Sequence, residues 1–252
     1  MHLSAGEVHV WLASLDGDDA GDQAELLAPE ELERAARMGS PSGRSAFIAG
    51  RATLRAILSR YVPTAPAALQ IATGPHGKPF LAGGGDLRFN LSHSASSAAL
   101  SAATSAATSA VYAVTRGREV GVDLERLDRQ VPYLRLARRF FSDHEVEQLD
   151  ELPESRQRRA FFAGWVRKEA LVKAWGTGLS TALDQFDVCL LPDRPPRLLA
   201  VRNGLGGAAR WTLCDVDYDS GHACALAVEA PLGRLSVRRW VPGAAAPLPK
   251  SR

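Results

Sequence analysis

The chain has 252 residues, 46% of them hydrophobic, which is enough for one large or two small domains with a full core. Thirty basic and 28 acidic residues give a formal net charge of +2, too balanced for bulk nucleic-acid binding, although a local basic patch stays open. Three cysteines without a CxxC pair favour neither a disulfide framework nor a structural zinc site, and no run approaches the roughly 18 apolar residues of a membrane span.

The N-terminal part of the sequence predicts one strand followed by two helices. Val8 to Leu15 alternates as a strand does, and a helix start is indicated at Pro29. A longer helix is predicted from Arg44 to Tyr61, where apolar residues recur at helical spacing. Arg51 and Arg55 lie one turn apart on this helix. They are either a solvated basic stripe or a pair that binds an anion.

A turn and a strand end then bring polar groups together. Residues 74–79 form a turn cluster with a Gly-Lys-Pro motif, and Leu87 to Leu91 alternates as a strand. The strand delivers Ser92, His93 and Ser94 at its end. A lone histidine is more often structural, but one between two hydroxyls at a strand end is a candidate for binding phosphate.

The strand from Val120 to Glu125 carries two carboxylates. Because successive side chains of a strand point to opposite faces, Asp123 and Glu125 are expected on the same face. Like charges held side by side raise each other's pKa unless a cation lies between them. The two readings that stay open are an exposed strand edge and a site for Mg²⁺ or Mn²⁺.

The sequence is organised around a helix predicted from Phe161 to Leu179, closed by glycines. Its apolar residues share one arc, with Arg167 expected on the opposite face. Glu169 and Lys173 fall inside the apolar arc, where an unpaired charge is costly. They form either an ion pair that serves packing or the carboxylate and ammonium of a site for a metal ion and a phosphate.

Four motifs stand in order along the chain: Gly77-Lys78-Pro79, Phe89 to Ser94, Val120 to Glu125, and Trp165-(x2)-Lys168-Glu169-Ala170-(x2)-Lys173. Together they resemble the 4'-phosphopantetheinyl transferases of the larger, surfactin-synthetase-activating (Sfp) type, over about Arg44 to Val188. The resemblance implies an α+β fold built as a pseudo-dimer of two similar halves, each a small sheet packed on a long helix. We expect the halves at residues 1–118 and 119–241, with coenzyme A bound in the cleft between them and a disordered tail at 242–252.

The resemblance also implies roles for particular side chains. The expected ligands of Mg²⁺, or of Mn²⁺, are Asp123, Glu125 and Glu169. The expected contacts of coenzyme A are Arg51 at the 3'-phosphate, His93 and Lys173 at the pyrophosphate, and Lys78, Pro79 and Ser92 at the phosphates. Glu169, Lys173 and His93 are the expected catalytic residues.

The span from Ser94 to Val120 is longer than the family pattern. The surplus is the tract from Ala95 to Ala110, almost entirely Ala, Ser and Thr, which we expect to be a helix or a mobile loop without chemistry. A carrier protein with an acidic helix would need a basic surface, and Arg135, Arg138 and Arg139 are our hypothesis for part of it.

The implied reaction moves phosphopantetheine from coenzyme A to a serine of an apo acyl, peptidyl or aryl carrier protein and releases 3',5'-ADP. One rival is a module that binds carrier protein or coenzyme A without catalysis. The other is a Mg²⁺-dependent phosphodiesterase or nuclease, since carboxylates, a lysine and a histidine also suit phosphate-ester hydrolysis. We further expect a cytoplasmic monomer with neither a nucleic-acid nor a membrane partner.

Overall fold

The computed structural model describes residues 1–16, 23–95, 108–202 and 207–242. Expectations for residues 96–107 of the Ala/Ser/Thr tract and for residues 243–252 of the tail lie outside these ranges. None of the helices within the ranges combines the length and apolar character that a membrane crossing needs. Helices and strands are mixed along the chain, which confirms the predicted α+β class.

Five helices and eleven strands make up the described structure. The helices are α1 (Pro29–Ala36), α2 (Pro41–Leu58), α3 (Tyr133–Phe140), α4 (Asp143–Asp150) and α5 (Glu154–Trp175). The strands are β1 (Glu7–Ser14), β2 (Ile71–Thr73), β3 (Pro79–Leu81), β4 (Leu87–Ala95), β5 (Thr108–Arg116), β6 (Val120–Arg126), β7 (Phe186–Val188), β8 (Leu198–Val201), β9 (Trp211–Asp215), β10 (His222–Glu229) and β11 (Arg234–Arg239).

The larger sheet has the strand order β11-β1-β5-β4, with β1 parallel to β11 and antiparallel to β5. Helix α2 packs on it through Leu54, Ile57 and Leu58, all fully buried. The predicted division after residue 118 stays a prediction. The structure adds that the last strand of the chain, β11, lies in the same sheet as the first.

A second sheet, β6-β10-β9, is antiparallel and packs on the long helix α5. The two sheets also share a core, to which β1 and β5 contribute from one side and β6 and β10 from the other. Val122 and Leu124 of β6 lie in this core and are almost completely buried. The other face of β6 is therefore turned toward α5 and β4.

Gly121 allows α5 to lie directly against β6. A Cβ atom at this position would be 2.1 Å from the carbonyl oxygen of Ala170 and 2.4 Å from the amide nitrogen of Ala174. Real Cβ atoms do not approach backbone so closely, so any other residue would push the helix away. The glycine of the Val-Gly-Val-Asp motif thus sets the distance between the strand and the helix that carry the candidate site.

We therefore expect Gly121→Ala to destabilise the fold by about 3 kcal/mol, the upper part of the usual cost of overpacking. Urea unfolding followed by circular dichroism measures this loss. Gly39→Ala is the matched control, because no atom in the described part of the chain lies within 4 Å of a Cβ built at Gly39. A Gly121→Ala variant as stable as this control would show that α5 is not held against β6 as described.

The long helix differs from its prediction in extent and in burial. It begins at Glu154, seven residues before the predicted start, and ends at Gly176, which has φ 69° as a glycine stop requires. The expectation that Arg167 faces away from the core is wrong, since Arg167 is fully buried. Its guanidinium donates to both carboxylate oxygens of Asp215 and to the carbonyl of Cys189. Protein covers α5 on both sides, so a pattern that assumes one solvent face fails.

Candidate functional site

A cavity of about 740 Å³ lies where the turn before β3 and the strand β4 face α5. Four of the predicted site residues line it, namely Lys78, Pro79, Glu169 and Lys173. Much of the remaining wall is apolar and comes from Leu91, Phe140, Trp165, Val172 and Leu183. The cavity thus has charged groups on one part of its wall and apolar side chains on another.

Strands β4 and β6 meet through polar side chains instead of backbone hydrogen bonds. The Val122 amide donates to Asn90 Oδ1 at 3.0 Å, and the Arg126 amide donates to Ser94 Oγ at 3.1 Å. Between them, Ser92 Oγ donates to Asp123 Oδ1 at 2.8 Å. Asn90, Ser92 and Ser94 of β4 therefore all bind β6. Asn90 and Ser94 accept from its backbone, and Ser92 donates to the Asp123 carboxylate.

Lys173 completes this contact from α5. Its ammonium lies 2.7 Å from Asp123 Oδ1 and 3.0 Å from Ser92 Oγ, and it also donates to the carbonyl of Val122 at 3.2 Å. The alternative in which Lys173 serves only as the i,i+4 partner of Glu169 is not what the structure contains. Three of the four sequence motifs converge here on one ammonium group.

Glu169, one turn before Lys173, has no hydrogen bond or ion pair with any residue in the described ranges. Burial raises the pKa of the Glu169 carboxyl, and the nearby charge of Asp123 raises it further. Burial and Asp123 likewise raise the pKa of Glu125, whose two oxygens accept from Arg129 Nη1 at 3.0 and 3.1 Å. The three carboxyls are close enough to influence one another.

The donor chemistry of this group fits a divalent cation, although its positions do not form a coordination shell. Asp123 Oδ2 is buried and lacks a hydrogen-bond partner among the described residues, so one carboxylate oxygen is left for a further ligand. Asp123 raises the pKa of both Glu125 and Glu169, and carboxylates gathered in this way are the hard oxygen donors that Mg²⁺ takes. Within the described ranges, no three Asp, Glu, His or Cys side chains are gathered closely enough to hold a metal ion. Asp123, Glu125 and Glu169 stay predicted ligands.

Lys78 bridges the Gly-Lys-Pro turn to the end of α5. Its ammonium donates to Glu119 Oε2 at 2.6 Å and to the carbonyl of Ala174 at 2.9 Å. Burial lowers the pKa of Lys78, which Glu119 partly opposes. The aliphatic part of the side chain passes 3.3 Å from a Cβ built at Gly176, so the helix stop leaves room for it.

His93 and Arg51 lie on the side of β4 that faces α2. The ring of His93 lies 3.8 Å from a Cβ built at Gly50, and the residue is exposed. Burial lowers the pKa of His93, and the positive charges of Lys173 and Arg51 add to this effect. Arg51 is 2.9 Å from a Glu31 carboxylate oxygen. The structure thus places Arg51 and His93 beside each other but outside the lining of the 740 Å³ cavity.

Both interpretations of Arg55, a solvated basic stripe and a pair that binds an anion, are wrong. The side chain is only 1% exposed and donates to Glu31 Oε2 at 2.5 Å and to the carbonyls of Pro66 and Leu69. It therefore fastens α1 and the segment after α2, and is neither a solvated charge nor open to an anion.

The sequence does not predict the ion pair that lies buried behind the cavity. Lys168 and Glu145 are completely buried, with their charged atoms 2.7 Å apart. Lys168 also donates to the carbonyls of Leu183 and Phe186, which belong to the segment that forms one cavity wall. The capping box at Ser142 can be recognised in the sequence and positions Glu145, but it does not identify Lys168 as the partner of Glu145.

Comparison with protein-family models matches residues 119–227 to the ACPS model, described as the 4'-phosphopantetheinyl transferase superfamily. The matched segment holds the strand with Asp123 and Glu125 and the whole of α5. It thus includes both elements that meet at Gly121.

Curated relatives match more of the chain. The 4'-phosphopantetheinyl transferase HetI of Nostoc is 34% identical over 234 residues, which cover 90% of this chain and 89% of the relative. A putative 4'-phosphopantetheinyl transferase of Synechocystis is 33% identical over 186 residues, which cover 73% of this chain and 69% of the relative. Sfp of Bacillus subtilis is 28% identical, covering 67% of this chain and 68% of Sfp. Among solved structures, holo-[acyl-carrier-protein] synthase of Thermotoga maritima matches with a TM-score of 0.36 and 28% identity, covering 44% of this chain and 62% of that one.

Proposed function

The chain belongs to the 4'-phosphopantetheinyl transferase superfamily, and we propose that it transfers the phosphopantetheine arm of coenzyme A to a serine of an apo carrier protein, releasing 3',5'-ADP with Mg²⁺ as cofactor. The observation that supports this most directly is the contact of Lys173 with Ser92 and Asp123, next to Glu169, which forms no ion pair with a described residue. It joins Lys173 and Glu169, which line the cavity, to Asp123 and Ser92 from two other motifs.

The side chains in and next to the cavity wall suit a reaction at a diphosphate. Lys173 and Lys78 supply positive charge to bind and orient the phosphate oxygens, with Ser92 as a hydrogen-bond donor. Glu169 has a free carboxylate with a raised pKa, the property that suits a group accepting the proton of the attacking serine hydroxyl. Mg²⁺ held by Asp123, Glu125 and Glu169 would offset negative charge on the phosphate oxygens. Arg51 and His93, on the α2 side, are proposed for the 3'-phosphate and the pyrophosphate.

Two further features belong to the proposal. The acceptor is an acyl, peptidyl or aryl carrier protein, and the enzyme acts as a monomer in the cytoplasm. The attacking serine comes from the carrier, so no nucleophile of this chain is required. Binding without catalysis is disfavoured because the charged groups of the proposed site are all present.

Release of 3',5'-ADP separates transfer from hydrolysis. We expect the protein with coenzyme A and Mg²⁺ to release 3',5'-ADP only when an apo carrier is added, measured by liquid chromatography. A phosphodiesterase would consume coenzyme A without a carrier. A binding module would release nothing in either case, and both results contradict the proposal.

The exposed face of α3 is proposed as part of the carrier-binding surface. Arg138 is paired with Asp150, whereas Arg135 and Arg139 form no ion pair with residues that the structure describes. Arg139 also lines the cavity, with its guanidinium 5.1 Å from the Phe140 ring centre. A basic surface that reaches the cavity mouth would attract an acidic partner helix toward the proposed phosphate site.

Reversing two charges of α3 that lie outside the cavity lining, Arg135→Glu with Arg138→Glu, is expected to weaken carrier binding roughly tenfold or more, since like charges then face each other. Coenzyme A affinity should change by less than threefold. Surface plasmon resonance with an immobilised apo carrier measures the carrier affinity, and calorimetry measures the coenzyme A affinity. The control Arg37→Glu reverses an exposed charge on α1. Unchanged carrier affinity in the double variant would remove α3 from the surface.

A further inference from the structure

We propose that Arg129 sets the divalent-cation affinity of the Asp123, Glu125 and Glu169 group, because its guanidinium holds Glu125 in the metal-free protein and must release it when the cation binds. The inference rests on the proposed function, since that function requires the cation. It concerns a residue outside the four sequence motifs.

The Arg129 contact takes up the oxygens that a cation would need. Glu125 lies four residues before Arg129 in the chain. Arg129 Nη1 is 3.0 and 3.1 Å from the two carboxylate oxygens of Glu125. The Glu125 side chain is only 17% exposed. A cation that ligates Glu125 must therefore compete with the positively charged guanidinium that lies against both carboxylate oxygens.

Of the two ion pairs in the group, the Arg129 pair is the one that can open. Lys173 is fixed by three acceptors, Asp123, Ser92 and the Val122 carbonyl, and is 28% exposed. The Arg129 side chain is 53% exposed, and its guanidinium hydrogen bonds go only to Glu125 among the described residues. Water can therefore solvate the guanidinium when it leaves, so the exchange costs little.

The charge of the group changes in the direction that a divalent cation requires. With Arg129 in place, its charge and that of Lys173 offset two of the three carboxylates. Once Arg129 turns into solvent, only Lys173 remains, and two negative charges face the cation. Glu125 then becomes available beside the unpartnered Asp123 Oδ2.

Titration of Mn²⁺ and Mg²⁺ into the full chain by isothermal calorimetry, without coenzyme A, tests this exchange. The variants are Arg129→Gln and the matched control Arg126→Gln. Arg126 lies three residues earlier and forms an ion pair with Asp128. Both variants remove one positive charge near β6, but only the first frees Glu125.

We expect Arg129→Gln to tighten cation binding roughly fivefold, the change that corresponds to an ion pair of about 1 kcal/mol. Arg126→Gln should change the affinity by less than twofold. Unchanged or weaker binding in Arg129→Gln overturns the inference. Equal tightening in both variants overturns it too, because general charge would then explain the effect, and so does a lack of binding in all three proteins. Mass gain of an apo carrier with the unchanged protein reports on the proposed function separately.

Discussion

Replacing Glu169 by glutamine is expected to reduce transfer at least a hundredfold while making the metal-free protein more stable. The loss follows from removing the proposed proton acceptor and metal ligand, groups whose contribution is commonly 10²- to 10⁴-fold. The gain follows from burial and the charge of Asp123, which raise the pKa of Glu169 and so disfavour its ionised form in the folded protein. Glutamine removes that unfavourable charge and breaks no hydrogen bond with a described residue.

The direction of the stability change depends on pH. A carboxyl whose pKa is higher in the folded state than in the unfolded state contributes stability at low pH that is lost as pH rises through the folded-state pKa. Glu169→Gln should therefore raise the melting temperature in EDTA at pH 7 and lose this advantage below pH 4. Calorimetry at both pH values, with the transfer rate, measures the two effects. Full activity, or a lower melting temperature at pH 7, would contradict the account.

Removing the ammonium of Lys168 is expected to have the largest effect on stability. Lys168→Met leaves Glu145 charged, completely buried and unpaired, a change that costs about 3–5 kcal/mol. It also removes the donor to the carbonyls of Leu183 and Phe186, so the cavity wall they belong to should loosen. Urea unfolding measures the loss in free energy.

Two further variants show whether the loss of stability comes from an unpaired buried charge. The double variant Glu145→Gln with Lys168→Met should regain part of the loss, because no uncompensated charge remains. Arg138→Met removes one partner of the exposed pair with Asp150 and should cost less than about 1 kcal/mol. A loss for Lys168→Met as small as that of Arg138→Met would show that the Lys168 pair is not buried in solution.

The elements that the sequence predicts well are those with strong local patterns. The strand at Val120 and the helix over Arg44 to Tyr61 were identified from alternation and helical spacing, and the structure contains both as β6 and α2. The glycine that ends α5 was identified from the Gly-x-Gly pair. In each case the deciding information lies within a few residues of the element.

What the sequence could not predict depends on partners far along the chain. Arg55, Arg167 and Lys168 are all buried, and their acidic partners, Glu31, Asp215 and Glu145, are 23 to 48 residues away. No local pattern separates such arginines and lysines from solvated ones. The convergence of Ser92, Asp123 and Lys173 likewise requires the packing of β4 against β6 and of α5 at Gly121. Resemblance to a family could name these residues, but not their contacts.

Intact-mass spectrometry of an apo carrier protein, incubated with this protein, coenzyme A and Mg²⁺, shows whether the phosphopantetheine arm is transferred. We expect a mass gain of one phosphopantetheine, lost with Glu169→Ala and in EDTA. No gain on acyl, peptidyl or aryl carriers, while coenzyme A still binds, would contradict transfer at the site where Lys173 meets Asp123 and Ser92.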